Sequence, residues 1–182
     1  MMRLLLWIAA GLLLGGIVHL GSVLVMPRTA TQDAFSRLAP IAETNRFTLL
    51  PMAVADGAAL PLMDPAFAVA VCRYDLSNGP LKLQAPVSQA YTAVSFYTRQ
   101  GIAYYAINDR AAGRRMIELD LMTPQQRGQV QEDEEVTAAD RLIVESPTPT
   151  GLIVLRALAP EPGMVPVVRA VLSTAQCRVE TS

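Results

Sequence analysis

The chain of 182 residues has room for one membrane segment and one compact domain with its own core, and is short for two such domains. Much of the excess in its hydrophobic fraction of 52% sits in the first 26 residues, and the remainder has the composition of an ordinary globular protein. Setting aside Arg3 leaves 14 basic residues against 16 acidic ones, a net charge of −2 without a basic stripe, so nucleic-acid binding has no electrostatic footprint here.

The N-terminus reads MMRLLLWIAAGLLLGGIVHLGSVLVMPR, with no charge between Arg3 and Arg28. Leu4 to Met26 form an apolar run of 23 residues. As a helix rising ~1.5 Å per residue it reaches roughly 35 Å, enough to cross a hydrocarbon core of about 30 Å, so residues 4–26 are expected to sit in a lipid bilayer. A cleaved signal peptide is the competing reading, because Arg3 makes a short positive start. Two features oppose cleavage: the run exceeds the usual ~7–15 residues, and the small-residue pattern near Ala30 is spoiled by Arg28. The expectation is a transmembrane signal anchor over residues 1–28. Arginines flank both sides, with Arg37 and Arg46 following Arg28, so charge bias alone leaves the orientation open. The expected arrangement is a single pass through a bacterial inner membrane with the C-terminal part in the periplasm. Within the anchor, Gly11 and Gly15 form a small-xxx-small pair that lets a partner helix approach closely. His19, the only histidine, lies near the end of the run, where it reaches interfacial water or a partner helix more readily than it ligates a metal.

Residues 29–65 read as a short amphipathic helix and a Pro/Ala-rich linker. Thr31 is placed to cap the helix, which puts Phe35 and Leu38 on one face, against the membrane or the domain. From Pro51 to Pro65 neither period is present, and the segment reads as an extended loop along the domain edge.

Residues 66–182 read as a β domain with a C-terminal helix. AFAVAVCRYDL is apolar on both faces over its first half, as an interior strand requires. Ser77-Asn78-Gly79 supplies turn chemistry, and PLKLQAPV, YTAVSFYTR and IAYYAIND follow as strands of an expected meander, the last two joined at Gln100-Gly101. RMIELDLM alternates, placing Ile117, Leu119 and Leu121 on a buried face and Glu118 and Asp120 on a wet one. Thr123-Pro124 opens a brief helix, followed by the acidic run Glu132 to Glu135. DRLIVES and TGLIVLRAL flank a turn at Pro147 to Thr150, and Val165, Val168 and Leu172 recur at helical spacing from Met164 to about Ala175. The order fits an antiparallel sandwich or barrel-like domain, mainly β, closed by one helix and preceded by one N-terminal transmembrane helix.

DPAFAVAVCRYDLSNGPLKLQAPVSQAYTAVSFYT resembles the centre of the family called domain of unknown function 1254 (DUF1254), with its strand, Asp-Leu-small-Gly-Pro turn and aromatic-rich strand. VESPTPTGLIVLRAL is similar to that family's Ser-Pro-Thr segment. The resemblance covers roughly residues 60–175 and is closest to the short, membrane-anchored bacterial members. It implies an envelope β domain working beside a companion protein, of the kind called domain of unknown function 1214. It implies no activity, and no functional residue carries over.

Chemistry is bounded mainly by exclusion. With no histidine beyond the anchor, Ser-His-Asp, Cys-His and histidine-based zinc sites are closed to the exported domain on its own, and no Walker loop, G-x-S-x-G or G-x-G-x-x-G occurs. No catalytic, metal or cofactor residue is assigned. Carboxylates remain, as Glu118 with Asp120 or as Glu132, Asp133, Glu134 and Glu135. Cys72 and Cys177, the only cysteines, either form a disulfide in an oxidising compartment or are a small buried residue and an unpaired tail residue. Tyr91, Phe96, Tyr97, Tyr104 and Tyr105 fall on adjacent strands, and alternation sends them to both faces. Those left outside, with Arg99, Asn108, Asp109 and Arg110, are candidates for a pocket or partner surface. The expected function is a non-enzymatic structural or accessory subunit beside a companion membrane protein. The alternatives are a binding module for a small apolar or lipid-like ligand, and a carboxylate-only hydrolase.

Overall fold

The computed structural model describes residues 1–29, 33–53, 58–111, 115–129 and 142–179. Two compact units divide the chain, residues 1–33 and residues 34–182. The first contains a single helix, α1 (Met2–Thr29), whose stretch Met2–Met26 is long and apolar enough to cross a membrane. Its one hydroxyl in that stretch, on Ser22, donates to the Val18 carbonyl at 2.8 Å, which satisfies it within the helix.

The second unit is a β domain of two packed sheets. It opens with α2 (Ala34–Leu38), followed by β1 (Phe47–Leu49), β2 (Phe67–Asp75), β3 (Leu81–Pro86), β4 (Thr92–Thr98), β5 (Ala103–Asn108) and β6 (Met116–Met122). The helix α3 (Pro124–Arg127), strands β7 (Leu142–Glu145) and β8 (Thr150–Leu158), helix α4 (Val165–Leu172) and strand β9 (Gln176–Val179) complete it. One sheet runs β1-β2-β8-β4-β5 and the other β7-β6-β3-β9, antiparallel except for the parallel pair β6–β7. Tyr74, Phe96, Leu81, Leu83, Leu119, Leu121, Ile153 and Leu155 fill the space between them, and Val168 and Leu172 of α4 join the same core.

The mainly β expectation holds, but the meander does not. β2 and β3 lie in different sheets, and of the four strands expected to pair in sequence only β4 and β5 form a hairpin. The reason is that β2, apolar on both faces, takes the interior place between β1 and β8, and the Leu76 to Pro80 link carries the chain across the core. The β4–β5 turn is the expected one: Gly101 has φ +81°, and its N–H donates to the Thr98 carbonyl at 2.9 Å.

Three further elements differ from the sequence reading. β1 lies inside the segment read as helix and linker; Asn45, at φ +56°, extends its ladder by donating to the Asp75 carbonyl and accepting from the Asp75 N–H. The C-terminal helix begins with a 3₁₀ turn at Pro162–Met164, ends at Leu172, and is followed by β9, which pairs with β3. Asp120 is buried rather than wet, at 6% exposure, while Glu118 faces solvent.

Where local chemistry is strong, expectation and structure agree. Thr123 caps α3 in a capping box with Gln126, and Pro124 stands at its first turn. Leu38 of α2 is buried and Phe35 packs beside it, in a second apolar cluster with Leu50, Val71 and Leu152 on the outer face of the first sheet. The capping residue expected at Thr31 and the acidic run Glu132 to Glu135 lie outside the described residues.

Candidate functional site

The six residues proposed for a surface site, Tyr97, Arg99, Tyr104, Asn108, Asp109 and Arg110, do not converge. Tyr97 pairs with Ala103 near the turn of the β4–β5 hairpin, whereas Asn108 pairs with Ala93 at its other end. Four residue steps of strand, roughly 13 Å, separate the two groups.

At the turn end, the outer face of the sheet receives α2. The Arg73 guanidinium lies 4.6 Å and that of Arg99 5.2 Å from the centre of the Phe35 ring, a cation–π arrangement. Arg73 also donates from Nη1 to the carbonyls of Ala39 and Ala42, both at 3.4 Å, holding the segment that follows α2. Tyr97 is half-buried against the same cluster. Arg99 and Tyr97 therefore serve packing of the N-terminal segment.

Tyr104 turns the other way. The β4–β5 register shifts between Phe96 and Tyr97, so Tyr104 is the extra residue of a bulge, and both it and Tyr105 pack toward Phe96 in the core. Strict alternation would have sent them to opposite faces. The Tyr104 hydroxyl donates to that of Tyr74 at 3.2 Å, the Tyr74 hydroxyl meets Ser146 Oγ at 2.9 Å, and Ser146 Oγ donates to the Thr148 carbonyl at 2.6 Å. This relay links β2, β5 and the segment after β7, and so both sheets. Tyr74→Phe breaks it in the middle and is expected to cost about 1–3 kcal/mol of stability, read from urea unfolding.

Burial, reinforced by Tyr74 and opposed by Ser146, pushes the Tyr104 phenol well above its ordinary 10.0. Its folded form therefore holds its proton after the unfolded chain has released it. The stabilising contribution is complete below about pH 10 and is lost progressively as the pH climbs beyond that value. Tyr104→Phe is expected to flatten the fall in urea midpoint between about pH 9 and pH 11; an unchanged slope would remove Tyr104 as its cause.

The opposite end of the hairpin carries a shallow depression of about 220 Å³ on the outer face of the first sheet. Ala93 and Ser95 of β4 and Ala106 of β5 form its floor, with Arg156 of β8, Asn108 of β5 and Tyr91 around it. Of the six residues, only Asn108 lines it. Its Oδ1 accepts from the Arg110 N–H at 3.2 Å, while the exposed Arg110 side chain lies outside the lining. Asp109 donates its backbone N–H to Thr92, and its Oδ1 is buried without a hydrogen-bond partner. Ser95 and Arg156 escape the sequence reading because each sits mid-strand in ordinary alternation.

Cys72 of β2 and Cys177 of β9 are joined by a disulfide with Cα atoms 6.5 Å apart, which ties one sheet to the other. Cys177 is thus part of a paired strand and not a loose tail. On α1, a Cβ added at Gly11 or Gly15 meets nothing within 4 Å, so that stripe is open to a neighbour. Glu118 accepts from Gln84 at 3.4 Å on the exposed face of the second sheet, and Asp120 beside it is buried.

The chain is similar in fold to the crystal structure of the VPA0106 protein from Vibrio parahaemolyticus, with TM-score 0.57, 13% identity, and coverage of 79% of this chain and 32% of that one. A putative uncharacterized protein from Burkholderia cenocepacia matches with TM-score 0.48 and 11% identity, over 70% of this chain and 34% of that one. The chain thus spans about a third of the length of each solved protein. No curated protein matches it. Residues 44–179, from just before β1 to the end of β9, match the family described as "Protein of unknown function (DUF1254)", and the chain belongs to that family.

Proposed function

We propose that this protein is a non-enzymatic structural or accessory subunit of the bacterial envelope, held in the inner membrane by α1 with its β domain in the periplasm. The observation that carries this reading is that its fold occupies 32% of the VPA0106 protein, where it is one part of a longer polypeptide. A fold that stands beside further structure in that protein supports a role beside a companion here. The companion proposed is a membrane protein of the domain of unknown function 1214 type, which the resemblance of the central strands implies.

Two features support the compartment and the mode of contact. The Cys72–Cys177 disulfide suits an oxidising compartment. Gly11 and Gly15 share one face of α1 and leave it unobstructed, as close packing of two membrane helices requires.

The test is extraction of the tagged full-length protein from native membranes in mild detergent, with attached proteins identified by mass spectrometry. A stoichiometric partner is expected, and Gly11→Leu with Gly15→Leu is expected to release most of it while leaving the β domain folded. A protein that emerges alone from membranes overturns the subunit reading. Recovery in the soluble fraction overturns the anchor instead.

A further inference from the structure

We propose that the depression on the outer face of the first sheet is a binding site for a small organic carboxylate, with Arg156 as the anion-binding group. Three observations carry this, beyond the subunit reading above. First, Ser95 is only 6% exposed yet its hydroxyl makes no hydrogen bond to any described residue, and it lies in the floor of the depression. The hydroxyl is not one of the enclosed unpaired atoms of the domain, so it opens onto the depression and is free to donate to an acceptor placed there.

Second, Arg156 lies on β8 directly across from Ala93 and has no ion pair or hydrogen bond among the described residues. The small side chains of Ala93 and Ala106 leave the space beside its guanidinium open. Asn108 also lines the depression, and with its Oδ1 engaged by the Arg110 N–H its amide has only donors left to offer a ligand. Third, among the described residues the lining contains no carboxylate, and the neighbouring Asp109 does not contribute to it. Donors from Arg156, Ser95 and Asn108 around an uncharged floor favour an anion. A planar guanidinium matches a carboxylate in two parallel hydrogen bonds.

Size narrows the class. A volume of about 220 Å³ is below the roughly 300–1,000 Å³ typical of drug-sized ligands, so the occupant is a small acid. Inorganic phosphate shares the charge but not the apolar body that the alanines and the Tyr91 ring would cover.

The full-length protein in detergent is titrated with benzoate, benzamide and inorganic phosphate, with binding followed by ligand-observed NMR. Benzoate is expected to bind in the millimolar range and benzamide not to bind. Arg156→Gln is expected to weaken benzoate by about tenfold or more, the loss typical of a charged hydrogen bond, whereas Arg110→Gln leaves it unchanged. Ser95→Ala provides a second reading: it weakens benzoate while leaving the ligand-free protein as stable as before or more so, which a purely structural serine would not do. Phosphate binding tighter than benzoate, and equally sensitive to Arg156→Gln, would replace a carboxylate with a phosphate as the ligand. Absence of binding by both anions, or benzoate binding indifferent to Arg156→Gln, overturns the site.

Discussion

Replacing Cys72 and Cys177 together by alanine is expected to lower the unfolding free energy of the β domain by about 4–5 kcal/mol. The two cysteines are 105 residues apart in sequence, so their bond closes the greater part of the domain, from β2 to β9, into one loop. In the chain-entropy account, that loop restricts the unfolded ensemble far more than the folded one. Both side chains are buried, Cys72 at 0% and Cys177 at 4% exposure, so loss of the sulfur atoms also removes core packing. For a domain of this size the drop corresponds to roughly 10–15 °C in Tm. Urea unfolding of wild type with and without reductant, beside the alanine pair, separates the two parts. Reduction isolates the cross-link, and the further loss in the variant reports packing. Wild type whose midpoint ignores reductant would show that the bond is not formed in the protein.

The location of that bond also shows where sequence reading stops. Strands are legible because alternation marks which residues are buried, as along Ile117, Leu119 and Leu121. Alternation does not say which strand lies alongside. β2 and β3 both send apolar residues into the same core, and that pattern serves a hairpin and a crossing between sheets equally well. β9 has four residues and β1 three, too few for a period to declare itself. The bulge that brings Tyr104 inward depends on pairing with β4, which the Ala-Tyr-Tyr-Ala stretch cannot reveal by itself. The candidate anion site is hidden for a related reason: Ser95, Arg156 and Asn108 come from three strands, and only the order β8-β4-β5 places them together. Asn108 alone is conspicuous in the chain, as a polar residue at a strand end. Chemistry written within a few consecutive residues, such as the Thr123-Pro124 cap or the apolar run of α1, survives the passage to structure intact.

Gly151→Ala is expected to cost about 3–5 kcal/mol, although it adds only one methyl group. Gly151 lies on β8 opposite Thr98 of β4 and Tyr74 of β2. A Cβ at this position would overlap the Tyr97 carbonyl and the Tyr74 hydroxyl and ring. Neither can retreat cheaply. The Tyr97 carbonyl is backbone of a central strand, and moving it disturbs the ladder between β4 and β8. The Tyr74 side chain, at 1% exposure, is held by the core around its ring and by Ser146 and Tyr104 at its hydroxyl. Relief by shifting that ring would break the relay that joins the two sheets, so steric and hydrogen-bond costs combine. A double-mutant cycle identifies the contact. In a Tyr74→Leu background the hydroxyl and part of the ring are gone, and Gly151→Ala should then cost markedly less than in wild type, leaving only the overlap with the Tyr97 carbonyl. Strictly additive urea-unfolding costs would place the burden of Gly151→Ala on the backbone of β4 alone and detach Tyr74 from it.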